Sequence, residues 1–195
     1  SPNVFGLLAG SDPALREEVV VVTAHWDHFG RNPALTGDQI FNGAFDNALG
    51  TASMLEMARV LAAAPRPKRS VLLVATTAQD SGLLGATWYT RQPRFPLSKT
   101  VAAVNLDAGN PWGRTRDVIV LGGALSSLDS IFGAVAASQG RTVTPDPYPE
   151  QGFYRRSDHY AFARVGVPAI FTATGMDFVG RPAGWGKALF DQYLA

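Results

Sequence analysis

The chain has three histidines, His25, His28 and His159, and each stands next to an aspartate or one residue away from one. His25-Trp26-Asp27-His28 closes a valine-rich run, and His159 closes Ser157-Asp158-His159. Further acidic residues occur in Gln79-Asp80, in Asn105-Leu106-Asp107, and at Asp46 just ahead of a long helical pattern. Imidazole nitrogen and carboxylate oxygen without thiolate form a donor set suited to a hydrolytic zinc site with open positions. With no cysteine in the chain, thiolate nucleophiles, disulfides and cysteine-type zinc sites are all excluded. If His25 and Asp27 share extended backbone they point the same way, so Asp27 can reach back and orient the His25 ring. Each piece also has a plain structural role. His25 and Asp27 can be a simple hydrogen-bonded pair, Asp46 and the Ser-Asp-His stretch helix caps, and Asp107 a turn residue. Their recurrence at successive strand ends favours chemistry over coincidence.

The elements that must position these residues alternate between strand and helix. Asn3 to Leu8, Glu18 to Thr23, Val71 to Thr76, Val101 to Leu106, Val118 to Leu121 and Pro168 to Thr172 read as strands. The continuous apolar runs among them indicate burial on both faces. Asn47 to Ala64 reads as a helix with Glu56 and Arg59 its only charges, so most of its surface is expected to be covered, and Pro65 and Pro67 stop it. Leu83 to Arg91, Leu125 to Ser138 and Asp158 to Arg164 read as further helices, and Pro145 to Gly152 as a proline-rich loop. This alternation predicts an α/β fold, a three-layer α/β/α arrangement with a mostly parallel, mixed central sheet. In such sheets ligands bind at the carboxyl ends of the strands, where these histidines and acids gather.

Composition narrows the function classes. The 195 residues fit one domain, 1–195, without internal repeats or a long linker. A net charge of +1 with scattered basic residues gives no footprint for nucleic acid or an anionic membrane, and no apolar run approaches the ~20 residues that span a bilayer. There is no Gly-x-Ser-x-Gly elbow for a serine hydrolase. Gly186-Lys187 fails as a phosphate loop because Arg181 and Ala188 occupy the flanking positions, and Gly122-Gly123 lacks the dinucleotide fingerprint.

The ordered set Ala24-His25-Trp26-Asp27-His28-Phe29-Gly30, Asn42-Gly43-Ala44-Phe45-Asp46-Asn47-Ala48, Gly82-Leu83-Leu84-Gly85, Asn105-Leu106-Asp107 and Ser157-Asp158-His159 resembles metallopeptidase family 28. That family holds zinc aminopeptidases of the secreted bacterial type and, among its relatives, the glutaminyl cyclases. The resemblance implies a peptide substrate and two zinc ions ~3.5–4 Å apart sharing a water. Asp46 would bridge them, His25 and Asp107 would complete one site, and Asp80 with His159 would complete the other. Asp27 would sit behind His25, and a cis peptide would follow Asp46. Retention of both His25 and Asp107 favours this two-metal pattern over the single-zinc cyclase.

The departure is at Gln79-Asp80, where the family has Glu-Glu. The first Glu is the general base, and a Gln amide cannot take its proton at neutral pH. The second is a zinc ligand, and Asp is shorter by one carbon–carbon bond, roughly 1.5 Å. The expectation is a metal-dependent aminopeptidase-type hydrolase with reduced turnover and a weaker second zinc. The rivals are a catalytically silent peptide-binding domain and a cyclase-like enzyme. By resemblance the protein is secreted or periplasmic. The chain is expected to be part of a longer one, lacking an amino-terminal portion and truncated before the family's closing Tyr-His segment and helices.

Overall fold

The computed structural model describes residues 1–194. Its centre is the valine run, which forms strand β2 (Val19–His25), with every residue buried except Val20, which is partly covered. β-Branched side chains suit this environment because their restricted χ1 fits the pleat. β2 pairs in parallel with β3 (Ser70–Thr76) on one side and β4 (Thr100–Asn105) on the other. Outside β3, β1 (Val4–Leu8) adds an antiparallel edge. Beyond β4 come β7 (Ala169–Thr174), parallel to it, then β5 (Asp117–Leu121), antiparallel to β7, and β6 (Thr142–Pro145), parallel to β5. The seven strands form one mixed sheet in the order β1-β3-β2-β4-β7-β5-β6.

Two crossovers build the layers on either face. Helix α1 (Leu49–Ala63) joins β2 to β3, and helix α2 (Leu84–Arg91) joins β3 to β4. Because β3 and β4 lie on opposite sides of β2, the two helices cover opposite faces, as right-handed crossovers require. On the α2 face, Val19, Val21, Leu72 and Val74 pack with Ala86, Tyr89 and Phe162, the last from helix α4 (His159–Ala163). On the α1 face, Val22, Ala24 and Val71 pack with Met54, Met57 and Leu61. Each such side chain taken fully out of water contributes ~1.5–3 kcal/mol. Helix α3 (Leu128–Ser138) lies against β6 and β7, and helix α5 (Trp185–Leu194) ends the described chain.

Several local expectations need correction. α1 begins at Leu49 rather than Asn47, Asp46 does not cap it, and Asp46 and Asn47 have non-helical dihedrals. Most of α1 is not covered: only Gly50 and Met54 are buried, and Leu55 is 63% exposed. The proline-rich segment is preceded by a real strand, β6, whose partner β5 supplies the hydrogen bonds that its sequence does not advertise. α5 forms where the sequence reading placed no helix.

Candidate metal centre

The chain leaves β2 for β3 on one side and β3 for β4 on the other, so the strand order reverses at β2 and opens a crevice beyond its carboxyl end. Register sets what faces that crevice. His25 stands beside Thr76 and Thr23 beside Asn105, which brings the residues after β3 and β4 level with the histidine.

His25 is the most constrained member, with a side chain only 1% exposed. Its Nδ1 lies 2.8 Å from the Asp27 carbonyl oxygen, which leaves Nε2 facing two carboxylates. Asp107 Oδ1 is 3.2 Å from Nε2 and Asp46 Oδ1 is 2.9 Å from it. One Nε2 proton can be directed at only one of them. The aligned partner is Asp107, and Asp46 Oδ1, though close, is a buried oxygen without a hydrogen bond. Burial on its own would depress His25, but the Asp107 and Asp46 carboxylates and the Asp27 carbonyl outweigh it and push the ring up to about 11. The His25 ring in turn holds Asp46 below the ordinary carboxylate range.

Such an arrangement asks for a cation. Two ligand atoms each ~2.0–2.1 Å from a tetrahedral zinc stand roughly 3.3 Å apart, and the two observed nitrogen–oxygen separations fall within a few tenths of that. His25, Asp46 and Asp107 each offer one donor atom, all within 4.8 Å of one another. The orphaned Asp46 oxygen and the nitrogen–oxygen donor set both fit a divalent metal such as zinc.

Backbone contacts hold these ligands. The Asp46-Asn47 peptide is cis. Asn47 is buried, donates to the Leu106 carbonyl at 3.0 Å, and accepts from the N–H groups of Ala108 at 2.9 Å and Gly50 at 3.0 Å. It thereby ties the Asp46 turn to both neighbours of Asp107. Gly50 is required for this: a Cβ there would lie 2.1 Å from Asn47 Oδ1 and 2.7 Å from the Leu106 oxygen. On the far side, the Ser157 hydroxyl donates to Asp107 Oδ2, Asn105 donates to Ser157 at 2.5 Å, and Thr23 donates to Asn105 at 2.6 Å.

Asp27 acts differently from the expectation. Its carbonyl, not its carboxylate, meets the His25 ring; the carboxylate accepts the Thr77 hydroxyl and, at 2.8 Å, the Ala78 N–H. The strand ends at His25, so the alternation that would have aimed Asp27 back at the ring no longer applies.

Gln79 is buried, and its amide donates to Asp107 Oδ2 at 3.0 Å and to the Arg156 carbonyl at 2.9 Å. The position where the resemblance implies a base is therefore occupied by a clamp on Asp107. Asp80 lies 2.8 Å from His28 Nδ1, and these two with Asp46 form a second group of donor atoms within 4.8 Å. Burial raises the Asp80 carboxyl, partly offset by its bond to His28.

His159 joins neither group. It is fully buried, edge-on to Tyr154 at 4.9 Å and tilted against Phe171 at 5.3 Å, and both ring nitrogens lack partners. Burial lowers it to about 4, with the charge of Asp107 opposing. The structure thus brings together His25, Asp46, Asp107, Asp80 and Gln79, while His159, buried with both ring nitrogens unpartnered and under the charge of Asp107, lies outside the two groups. Sequence reasoning passed over Asn47, Asn105 and Ser157, whose importance lies in side-chain hydrogen bonds across the crevice. It also gave His28 no role, although its adjacency to the His25 motif was a usable signal.

Above the carboxylates opens a cavity of about 280 Å³ whose floor includes Asp46, Gln79, Asp80 and Asp107. Its walls are largely aromatic, with Phe45, Trp112, Phe153, Phe171, Phe190 and Tyr193 among them. α5 supplies one wall: Phe190 stacks on Tyr148 at 5.2 Å, and Tyr193 lies 6.0 Å from Phe45.

The sequence matches Peptidase family M28 over residues 3–189. It is 35% identical over 122 residues to Aminopeptidase YwaD of Bacillus subtilis, covering 62% of this chain and 24% of that protein. It is 32% identical over 114 residues to Aminopeptidase NAALADL1 of Mus musculus, covering 55% of this chain and 13% of that one. Among solved structures it resembles BSAP, a zinc aminopeptidase from Bacillus subtilis, with a TM-score of 0.67 and 26% identity, covering 91% of this chain and 41% of that chain. The chain therefore spans less than a third of these curated relatives. Matched almost from end to end by the family's sequence pattern, and folded like a zinc aminopeptidase, this chain belongs to peptidase family M28.

Proposed function

We propose that residues 1–195 form the metal-holding catalytic domain of a zinc-dependent aminopeptidase-type hydrolase whose turnover is reduced by Gln79. The observation that carries this reading is the convergence of His25 Nε2 with Asp46 and Asp107 on the floor of an apolar-walled cavity. Zinc, when bound there, supplies Lewis-acid polarisation of a scissile carbonyl and makes water more acidic. The protein's own part is to hold the donors in place through Asn47, Ser157 and the Asp27 carbonyl. The aromatic walls suit an apolar first side chain. A location outside the cytoplasm, secreted or periplasmic, is part of the proposal and is supported by the motif resemblance alone.

One observation favours a second reading. Because the Gln79 amide is committed as a donor to Asp107 and Arg156, it offers no proton acceptor at the expected place, as in a catalytically silent peptide-binding domain. Hydrolysis of leucyl- and phenylalanyl-anilides in a zinc titration separates the two. Zinc-dependent release of anilide, slower by ~10²–10⁴-fold than an enzyme with its base intact, supports the hydrolase. Peptide binding without release at saturating zinc supports the silent domain.

A further inference from the structure

Four aspartates line the cavity, Asp46, Asp80, Asp107 and Asp146, and among the described residues on its walls Arg156 is the only cationic one. Its place in the chain explains its position. The Arg156 carbonyl accepts the Gln79 amide at 2.9 Å, and the next residue, Ser157, is buried and gives its hydroxyl to Asp107. The contacts that fix Asp107 thus also fix the Arg156 backbone beside the carboxylates, while the arginine side chain stays exposed. Its guanidinium carbon lies 5.7 Å from the centre of the Phe153 ring, one of the cavity walls. Burial raises the Tyr193 phenol, the charges of Asp46, Asp107 and Asp80 add to this, and that of Arg156 opposes it. Floor and arginine therefore lie within electrostatic reach of one hydroxyl.

Among the described residues no ion pair includes Arg156. The nearby carboxylates are engaged elsewhere: Asp107 meets His25, Ser157 and Gln79, Asp46 meets His25, Asp80 meets His28, and Asp146 accepts the Tyr148 N–H. Resting on the zinc-hydrolase reading above, we propose that Arg156 holds a carboxylate of the bound peptide, and so selects substrates with a negative charge close to the scissile bond. The planar guanidinium carries its donors in a fork that matches a carboxylate, and an aromatic face beside it keeps the fork oriented. A metal held by Asp46 and Asp107 neutralises them, which leaves the cavity's one cation facing a substrate without competition from the floor. At about 280 Å³ the cavity is at the small end of the ~300–1,000 Å³ usual for ligand pockets, which suits a short peptide. Such a peptide offers a carboxylate from two sources, its own carboxyl terminus or an acidic second side chain. The competing account is an exposed arginine that only offsets the charge of the floor. That role is indifferent to what the peptide carries, and its removal would simply tighten zinc.

The test is peptide binding by calorimetry to the zinc-loaded protein, with KM and kcat measured for any peptide that is cleaved. Two matched pairs are compared: leucyl-leucine with leucyl-leucinamide, and leucyl-glutamic acid amide with leucyl-glutamine amide. The variants are Arg156→Gln, Arg156→Ala and Arg156→Lys, checked for folding by circular dichroism and for zinc by elemental analysis. Wild type should bind the charged member of at least one pair about 10-fold or more tightly than its neutral twin. Arg156→Gln and Arg156→Ala should abolish that preference and leave the neutral peptides within about threefold of wild type. Arg156→Lys should keep part of it, since charge survives without the fork. Where cleavage occurs, the loss should fall on KM rather than kcat. A preference confined to the first pair assigns the terminal carboxylate, and one confined to the second assigns the acidic side chain; either supports the proposal. The inference is overturned if zinc-loaded wild type distinguishes neither pair by more than about threefold, or if the preference survives in a folded Arg156→Gln. The first of these needs no variant. A wild-type protein that takes up no zinc would instead remove the hydrolase reading, and elemental analysis reports that separately.

Discussion

Replacing Gln79 by Glu, the substitution that would restore a base, is expected to destabilise the metal-free protein. In the structure the Gln79 amide donates to two acceptors, Asp107 Oδ2 at 3.0 Å and the Arg156 carbonyl at 2.9 Å. An ionised Glu donates to neither. The bond to a charged carboxylate contributes ~1.5–3 kcal/mol and the bond to a neutral carbonyl ~0.5–1.5 kcal/mol. Two carboxylates about 4 Å apart repel by ~4 kcal/mol at an effective dielectric constant near 20. The new side chain escapes part of that repulsion by taking up a proton, so the net loss at pH 7 comes to about 3–5 kcal/mol. For a chain of this size 1 kcal/mol shifts the melting temperature by ~2–4 °C, which makes the expected drop roughly 6–20 °C.

Two conditions should shrink the drop. At pH 5 the new carboxyl is more often protonated and regains one donor. In saturating zinc, Asp107 is neutralised by the ion, and binding to the native state alone adds stability by mass action. Gln79→Glu should therefore gain more from zinc than wild type does. The assay is thermal denaturation in chelator and in zinc at both pH values, with anilide hydrolysis measured alongside. If Gln79→Glu melts within about 2 °C of wild type in chelator at pH 7, the amide is not clamping Asp107 and the reasoning fails. If it shows the zinc-dependent recovery, hydrolysis faster by ~10²–10⁴-fold is expected as well.

Other expectations follow from the same contacts. Burial, against the Thr76 hydrogen bond, raises Asp158 to about 7, so from about pH 4 to 7 the native state holds a proton that the unfolded chain has lost, and Asp158 makes stability fall with rising pH by about 4 kcal/mol. His159, lowered to about 4, acts oppositely between about pH 4 and 6.5, and the two slopes largely cancel; Asp158→Asn should leave stability that rises with pH in that window, and a flat profile in urea titrations would contradict this. Gly50→Ala drives a Cβ into Asn47 Oδ1, and should cost ~1–3 kcal/mol and weaken zinc at His25 by about 10-fold or more; unchanged affinity in calorimetry would show that Asn47 is not needed to place Asp107. Asp27→Asn removes one acceptor from the Thr77 and Ala78 donors and should lower stability by ~1–2 kcal/mol, with zinc affinity at His25 within about threefold of wild type, because the ring is oriented by the Asp27 carbonyl; a drop of 10-fold or more would return that role to the carboxylate.

The fold was legible wherever burial is two-sided. β2 and β3 are covered on both faces, so their valine and leucine runs carry the signal without interruption. α1 misled for a related reason: apolar composition was read as coverage, yet Leu55 and Val60 stand exposed while Gly50 and Met54 do the packing. Large apolar residues are common on folded surfaces, so composition alone does not locate a buried face. β6 is mostly exposed and ends at a proline, so nothing local marks it; it is a strand because β5 lies beside it.

The candidate site divides along the same line between local and long-range information. His25, Asp46, Asp80 and Asp107 follow or flank regular elements, and a sequence shows where elements end. What each side chain does at that end depends on partners up to 82 residues away, as with His25 and Asp107, and no spacing rule reaches that far. Asp46 illustrates the difference. By local preference an Asp ahead of a helix is a cap, and here the Asp46 carboxylate turns to His25 instead. The neighbouring Asn47 accepts from a first-turn amide, the Gly50 N–H, at 3.0 Å. Gln79 is the same case in reverse. Its type excludes a base from the sequence alone, but only the structure shows the amide holding Asp107 beside His25. A residue that removes one function from a site can thus still shape it, and so the metal-free melting of Gln79→Glu tests more than catalysis would.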